Sequence, residues 1–133
     1  MQQVANAYAR AAQSAQSPRE LESSILLKAG MKLQSVKDRW PESEPQLDEA
    51  LTYNRRLWTI LVSSVAQETN PLPREVKQNI INLGMFVFNH TISMQIEPDP
   101  KRLNVLVNIN REIAAGLRGR ALNEAANPGP QAA

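Results

Sequence analysis

At 133 residues, with 42% hydrophobic and 21% charged side chains, the chain has the length and composition of one globular domain. Its net charge of +2 excludes a molecule held to nucleic acid by overall charge, and the lack of cysteine excludes disulfides and thiolate metal sites and fits a reducing cytoplasm. No apolar run approaches the roughly 20 residues that span a bilayer, and residues 1–10 lack the basic-then-apolar order of a secretory signal.

The first sixteen residues are rich in alanine and glutamine, with Tyr8 their only aromatic residue. They read either as a short helix that docks through Tyr8 or orders on a partner, or as a frayed terminus. Ser17-Pro18-Arg19-Glu20 is a capping box with proline at the first helical position. The stripe Leu21, Ile25, Ala29, Leu33, Val36 and Trp40 then predicts a helix from 18 to about 39. Pro41 and Pro45 bracket a polar break, because the residue before a proline avoids helical geometry.

A second helix is expected from about 46 to 68, with Asp48 and Glu49 near its positive end. Its face steps through Leu47, Leu51, Asn54, Trp58, Leu61 and Val65, so an amide falls where a core residue belongs. Arg55 and Arg56 flank this stripe. They read either as solvated side chains whose stems cover Trp58 and Leu51, or as groups that bond a partner or join Asn54. Asn70-Pro71-Leu72-Pro73 ends the segment.

Pro73 opens a third helix with the stripe Val76, Ile80, Leu83, Val87 and Thr91, widened by Ile81, Phe88 and Met94. Gly84 in its middle costs about 1 kcal/mol against alanine, which another helix approaching closely would explain. Phe86 lies off the main stripe and is expected at the surface, as is His90, the only histidine. Glu97-Pro98-Asp99-Pro100 breaks the chain again, with Asp99 as N-cap of a fourth helix that runs to about Gly116 or a little beyond. Its face carries Leu103, Leu106, Asn110, Ile113 and Leu117, a second stripe with an amide. Asn54 and Asn110 read best as a hydrogen-bonded interior pair that fixes helix register. Residues 121–133, with Asn127-Pro128-Gly129-Pro130, are expected to be a disordered tail.

The chemistry of catalysis is missing from this list. A single histidine without cysteine completes no usual zinc set, no glycine-rich phosphate loop occurs, and the acids Glu42, Glu44, Asp48 and Glu49 sit in a linker and helix start. The chain is expected to be no enzyme and to need no cofactor. One charged cluster stands out: Lys101, Arg102, Arg111, Arg118 and Arg120 against the single acid Glu112. Lys101 and Arg102 oppose the dipole at the start of the fourth helix; they read first as exposed side chains screened by Asp99, and otherwise as an acidic contact.

Several of these segments occur in a familiar order. Ala7-Tyr8-Ala9 precedes Ser17-Pro18-Arg19-Glu20-Leu21-Glu22, followed by Tyr53-Asn54-Arg55-Arg56-Leu57-Trp58-Thr59. Asn70-Pro71-Leu72-Pro73, Gln78-Asn79 and Asn82-Leu83-Gly84 come next, and Asn108-Ile109-Asn110-Arg111-Glu112-Ile113-Ala114-Ala115-Gly116-Leu117-Arg118-Gly119 closes the set. The ordered series resembles the FlaF family of alphaproteobacterial flagellar biosynthesis regulators over residues 5–119. That resemblance implies a small cytoplasmic helical protein that binds newly made flagellin for export and acts beside FlbT, a regulator that contacts flagellin messenger RNA.

The expected architecture is thus an all-α bundle of four main helices over residues 17–120, preceded by the arm at 1–16. A client groove would draw on those of Leu26, Leu27, Trp58, Val62, Ile81, Phe86, Phe88 and Met94 that exceed the core's needs, Phe86 first, most of the others being expected in the core. Arg55, Arg56, Lys101, Arg102, Arg111 and Arg118 are the candidate polar contacts. The alternatives are direct RNA regulation through the basic cluster, or an adaptor that holds FlbT alone.

Overall fold

The structure, a computed structural model, describes residues 3–6 and 17–126. Four long helices dominate it: α1 (Pro18–Asp38), α2 (Leu47–Ala66), α3 (Arg74–Ile96) and α4 (Leu103–Ala126). Among the described residues there is no strand. Residues 3–6 are helical, and Val4 is fully buried; the expected docking of Tyr8 lies outside the described residues.

Local chemistry sets the helix ends. The Ser17 hydroxyl accepts the Glu20 amide at 3.1 Å, with Pro18 at the first turn of α1. Two short 3-10 turns, Glu44–Gln46 and Pro100–Arg102, lead into α2 and α4. The buried Ser43 hydroxyl donates to the Val36 carbonyl and pins the α1–α2 corner, where the Trp40–Pro41 peptide is cis. Pro73 caps α3 from an extended backbone. Asp99 accepts the Lys101 amide at 3.0 Å, so Lys101 and Arg102 occupy the 3-10 turn rather than the first turn of α4.

Helix α4 runs ten residues past Gly116, taking in the first part of the expected tail. Ala121 is buried and extends the core in that direction. No breaker stronger than Gly119 intervenes before Asn127-Pro128, and proline disfavours helix only in the residue before it. Packing therefore carries the helix across two glycines that propensity alone reads as an end.

The helices meet as antiparallel neighbours in the order α4, α1, α2, α3. Helix α1 packs along α4 and α2, and α3 packs on α2, whereas α3 and α4 meet sparingly. Gly84 marks the closest approach in the α2–α3 seam: a Cβ there would overlap Val62 Cγ2 and touch Trp58 Cε3 at 3.6 Å. Valine in a helix is confined to one side-chain rotamer, so Val62 has little room to yield. Gly84→Ala is therefore expected to lower stability by about 1–2 kcal/mol, overpacking outweighing the helix-propensity gain. Denaturant unfolding measures this, and an increase in stability would count against the close approach.

Candidate functional site

The two amides expected inside the bundle meet there. Asn110 Nδ2 donates to Asn54 Oδ1 at 2.7 Å and to the Leu26 carbonyl at 3.2 Å, while its Oδ1 accepts the Trp58 indole N–H at 2.9 Å. One side chain on α4 thus ties α1 and α2 together, with Asn54, Trp58 and Asn110 all fully buried. Asn54 Nδ2 has no hydrogen-bond partner among the described residues, nor have the buried Tyr53 hydroxyl and Arg56 Nε. Neither arginine of the Arg55-Arg56 pair bonds Asn54; both are half-buried.

Besides Ser43, sequence reasoning missed three further buried polar groups, Arg19, Glu22 and Ser23. Ser23 donates to the Ala114 carbonyl at 2.9 Å, a second α1–α4 tie. Arg19 and Glu22 form a buried ion pair at 2.7 Å on the first turns of α1. Burial pushes the Glu22 carboxyl above its ordinary value, against the pull of the Arg19 guanidinium. The Tyr53 phenol is raised by burial, and its ring lies 4.9 Å below the Lys32 ammonium. The spacing Arg19-x-x-Glu22 is visible in the sequence, but its burial is not.

Among the described residues an open groove lies along the α3–α4 seam. The first half of α3 and the second half of α4 diverge around a groove of about 810 Å³. Val76, Ile80 and Leu83 form one wall; Ile113, Leu117 and the small residues Ala115, Gly116 and Gly119 form the other. Glu75, Glu112 and Arg120 stand among its lining residues. A Cβ built at Gly116 or Gly119 meets nothing within 4 Å, so no contact among the described residues requires glycine there. The groove closes toward Arg102, whose Nη2 donates to Ser93 Oγ at 2.6 Å and whose carbonyl lies 2.8 Å from His90 Nε2.

This placement corrects several expectations. Trp58, named as a candidate partner contact, is fully enclosed in the core, and Leu26 and Met94 are enclosed with it, as expected of most groove candidates. The remaining groove candidates do not share one groove. Val62, Ile81 and Phe88 are half-buried against the core, Leu27 is exposed on α1, and Phe86 is 42% exposed on another face of α3. His90 is not free at the surface; it is half-buried, stacked on Phe86 at 5.1 Å and tied to the α3–α4 corner. The basic cluster is likewise dispersed. Lys101 and Arg102 lie at that corner and Arg120 in the groove, while Arg111 lies beside Leu27 and Met31. Arg118 is exposed seven residues along α4 from Arg111, on the same side of the helix. Arg102 is held by Ser93, which accounts locally for its position at a helix start.

Three stability measurements follow from the buried polar groups. Trp58→Phe keeps the ring but strands Asn110 Oδ1, at an expected cost of about 1–3 kcal/mol. Asn110→Ala strands Trp58 Nε1, Asn54 Oδ1 and one bond of Leu26, and is expected to cost more, about 3–5 kcal/mol. Denaturant titration ranks them; the reverse order would deny Asn110 its central role. For Glu22, the raised folded pKa means that the native state binds more protons than the unfolded one in the window just above 4.5. Its contribution to stability is therefore lost as pH rises through that window. Relative to Glu22→Gln, the wild-type chain should gain stability on going from pH 7 toward 4.5, and a flat difference would contradict the raised value.

Among the described residues no helix is long and apolar enough to cross a membrane. No curated protein and no solved structure matches the chain. A family model does: the one described as Flagellar protein FlaF matches residues 4–117. That span takes in the Asn54–Trp58–Asn110 network, the α2–α3 seam and most of the open groove. The chain therefore belongs to the FlaF family of flagellar proteins.

Proposed function

We propose that the chain binds flagellin as an export chaperone and tunes flagellin synthesis post-transcriptionally together with FlbT. The observation that carries this reading is the unfilled α3–α4 seam with glycines on its wall. An amphipathic helix of a client would lay its apolar side on Val76, Ile80, Leu83, Ile113 and Leu117, completing the bundle where α3 and α4 stand apart. Gly116 and Gly119 would let the client backbone come close, as Gly84 does for α2 within the fold. Such docking masks an apolar client surface without chemistry, and an open groove permits release at the export apparatus.

Direct RNA binding receives less support from the geometry. Lys101, in the 3-10 turn, and Arg120 lie on the order of 28 Å apart along the chain axis, and of the cations between them only Arg111 and Arg118 share a side. The adaptor reading, in which only FlbT is held, predicts no role for the groove.

Pull-down of the purified chain with flagellin, with FlbT and with flagellin leader RNA separates the three. Gly116→Leu fills the groove from an exposed position with open space around it. It is expected to lower flagellin binding at least about tenfold, equivalent to about 1.4 kcal/mol, with the melting temperature unchanged or raised. Undiminished flagellin binding in this variant would overturn the groove as the client site.

A further inference from the structure

The side of α3 turned away from the groove carries a second, separate apolar surface. Ile81, Met85, Phe88, Ile92 and Ile96 follow one another at steps of four, three, four and four. On a helix they fall within roughly 80° of one another. They are not the core face, which is Ile80, Gly84, Val87, Thr91 and Met94. Met85, Ile92 and Ile96 are 54%, 53% and 79% exposed, and Ile81 and Phe88 pack partly on the core beneath. From Gln78 to Ile96 the chain has no aspartate, glutamate, lysine or arginine. A surface helix of that length normally carries charge on its wet side. Loss of charge together with methionine and phenylalanine is the composition of an interface centre.

We infer that this stripe is a self-association surface, on which α3 of a second copy lies antiparallel. Two observations favour a second copy over an unrelated chain. The first is self-complementarity. Counted from Phe88, the other four residues stand at −7, −3, +4 and +8, nearly symmetric about the middle of the stripe. A two-fold axis beside Phe88 sets Met85 of one copy against Ile92 of the other, and Ile81 against Ile96. A symmetric contact needs this property, since each copy presents the same patch. The second is charge. Arg74 and Lys77 precede the stripe on its own face, and Glu97 follows it, so antiparallel pairing sets the basic end of one copy near the acidic end of the other. A parallel pairing would bring like ends together.

Contact over about 22 Å of helix buries on the order of 1,000 Å² in total, near the lower bound for a specific interface. The dimer is therefore reversible, with dissociation in the micromolar range. It leaves the α3–α4 groove open and holds whether or not that groove takes a client.

Sedimentation of the full chain across a concentration series up to about 100 µM, a hundredfold above a 1 µM dissociation constant, tests this directly. The wild-type chain should pass from monomer to dimer. Met85→Glu and Ile92→Glu, both at exposed positions, should each stay monomeric with unchanged helical content and melting. The protein has no native thiol, so pairing geometry can be read by crosslinking. A mixture of Met85→Cys and Ile92→Cys chains should be joined by a short thiol-reactive linker far more than either chain alone. A wild-type chain that remains monomeric throughout overturns the inference, and so does a dimer that survives both glutamate variants. Crosslinking of each cysteine variant to itself in preference to the mixture would overturn the antiparallel arrangement. A monomer whose Met85→Glu variant loses flagellin would assign the stripe to the client and likewise reject the dimer.

Discussion

The Asn110 side chain is the constraint from which the rest of this bundle takes its geometry. Both of its amide hydrogens and its oxygen are engaged, reaching the Leu26 main chain on α1 and two side chains on α2. Each bond contributes modestly when made, but a buried donor or acceptor left without its partner costs about 1–3 kcal/mol. Sliding α4 by one turn against α1 or α2 would strand several such groups at once. The network thus acts mainly against wrong registers, fixing α1, α2 and α4 as a unit.

Helix α3 stands outside that network, and this explains the open seam. It is held to α2 by shape, through Gly84 against Val62 and Trp58, and to α4 only at the corner where His90, Ser93 and Arg102 meet. From this corner the two helices diverge with no polar tie between their far halves. The arrangement gives α3 three faces with different duties: one on the core, one lining the groove and one apolar side facing outward. Trp58 links the two parts of the molecule. Its indole N–H belongs to the polar network, while its ring edge supports the approach of α3.

Much of this was legible in the sequence where a local rule and a tertiary need agree. The Ser17 cap, the proline breaks and the positions of α1, α2 and α3 follow from capping and periodicity, and the two interrupted stripes already pointed to Asn54 and Asn110. Periodicity could not say how deeply a stripe is buried. Trp58 and Met94 therefore read first as core residues while staying candidates for docking, and the core took them. His90 read as free because the Arg102 carbonyl that meets it lies across a turn. The α3–α4 groove was invisible for a related reason. Apolar periodicity predicts that a face will be covered, but not whether the same chain supplies the cover.

The glycines of α4 bear on that last distinction. Glycine inside a helix costs about 1 kcal/mol relative to alanine, and domains of this size rest on a margin of about 5–15 kcal/mol. Gly84 returns its cost through a contact that a methyl group would obstruct. Gly116 and Gly119 have no such contact within 4 Å, yet α4 remains helical through both and on to Ala126. Together they give up about 2 kcal/mol that no contact among the described residues offsets. Both stand on the wall of the seam where α3 and α4 meet sparingly, facing apolar side chains of α3. A backbone arriving from outside would use that space as α3 uses Gly84 from within, and the stability forgone in the free protein would reappear as binding.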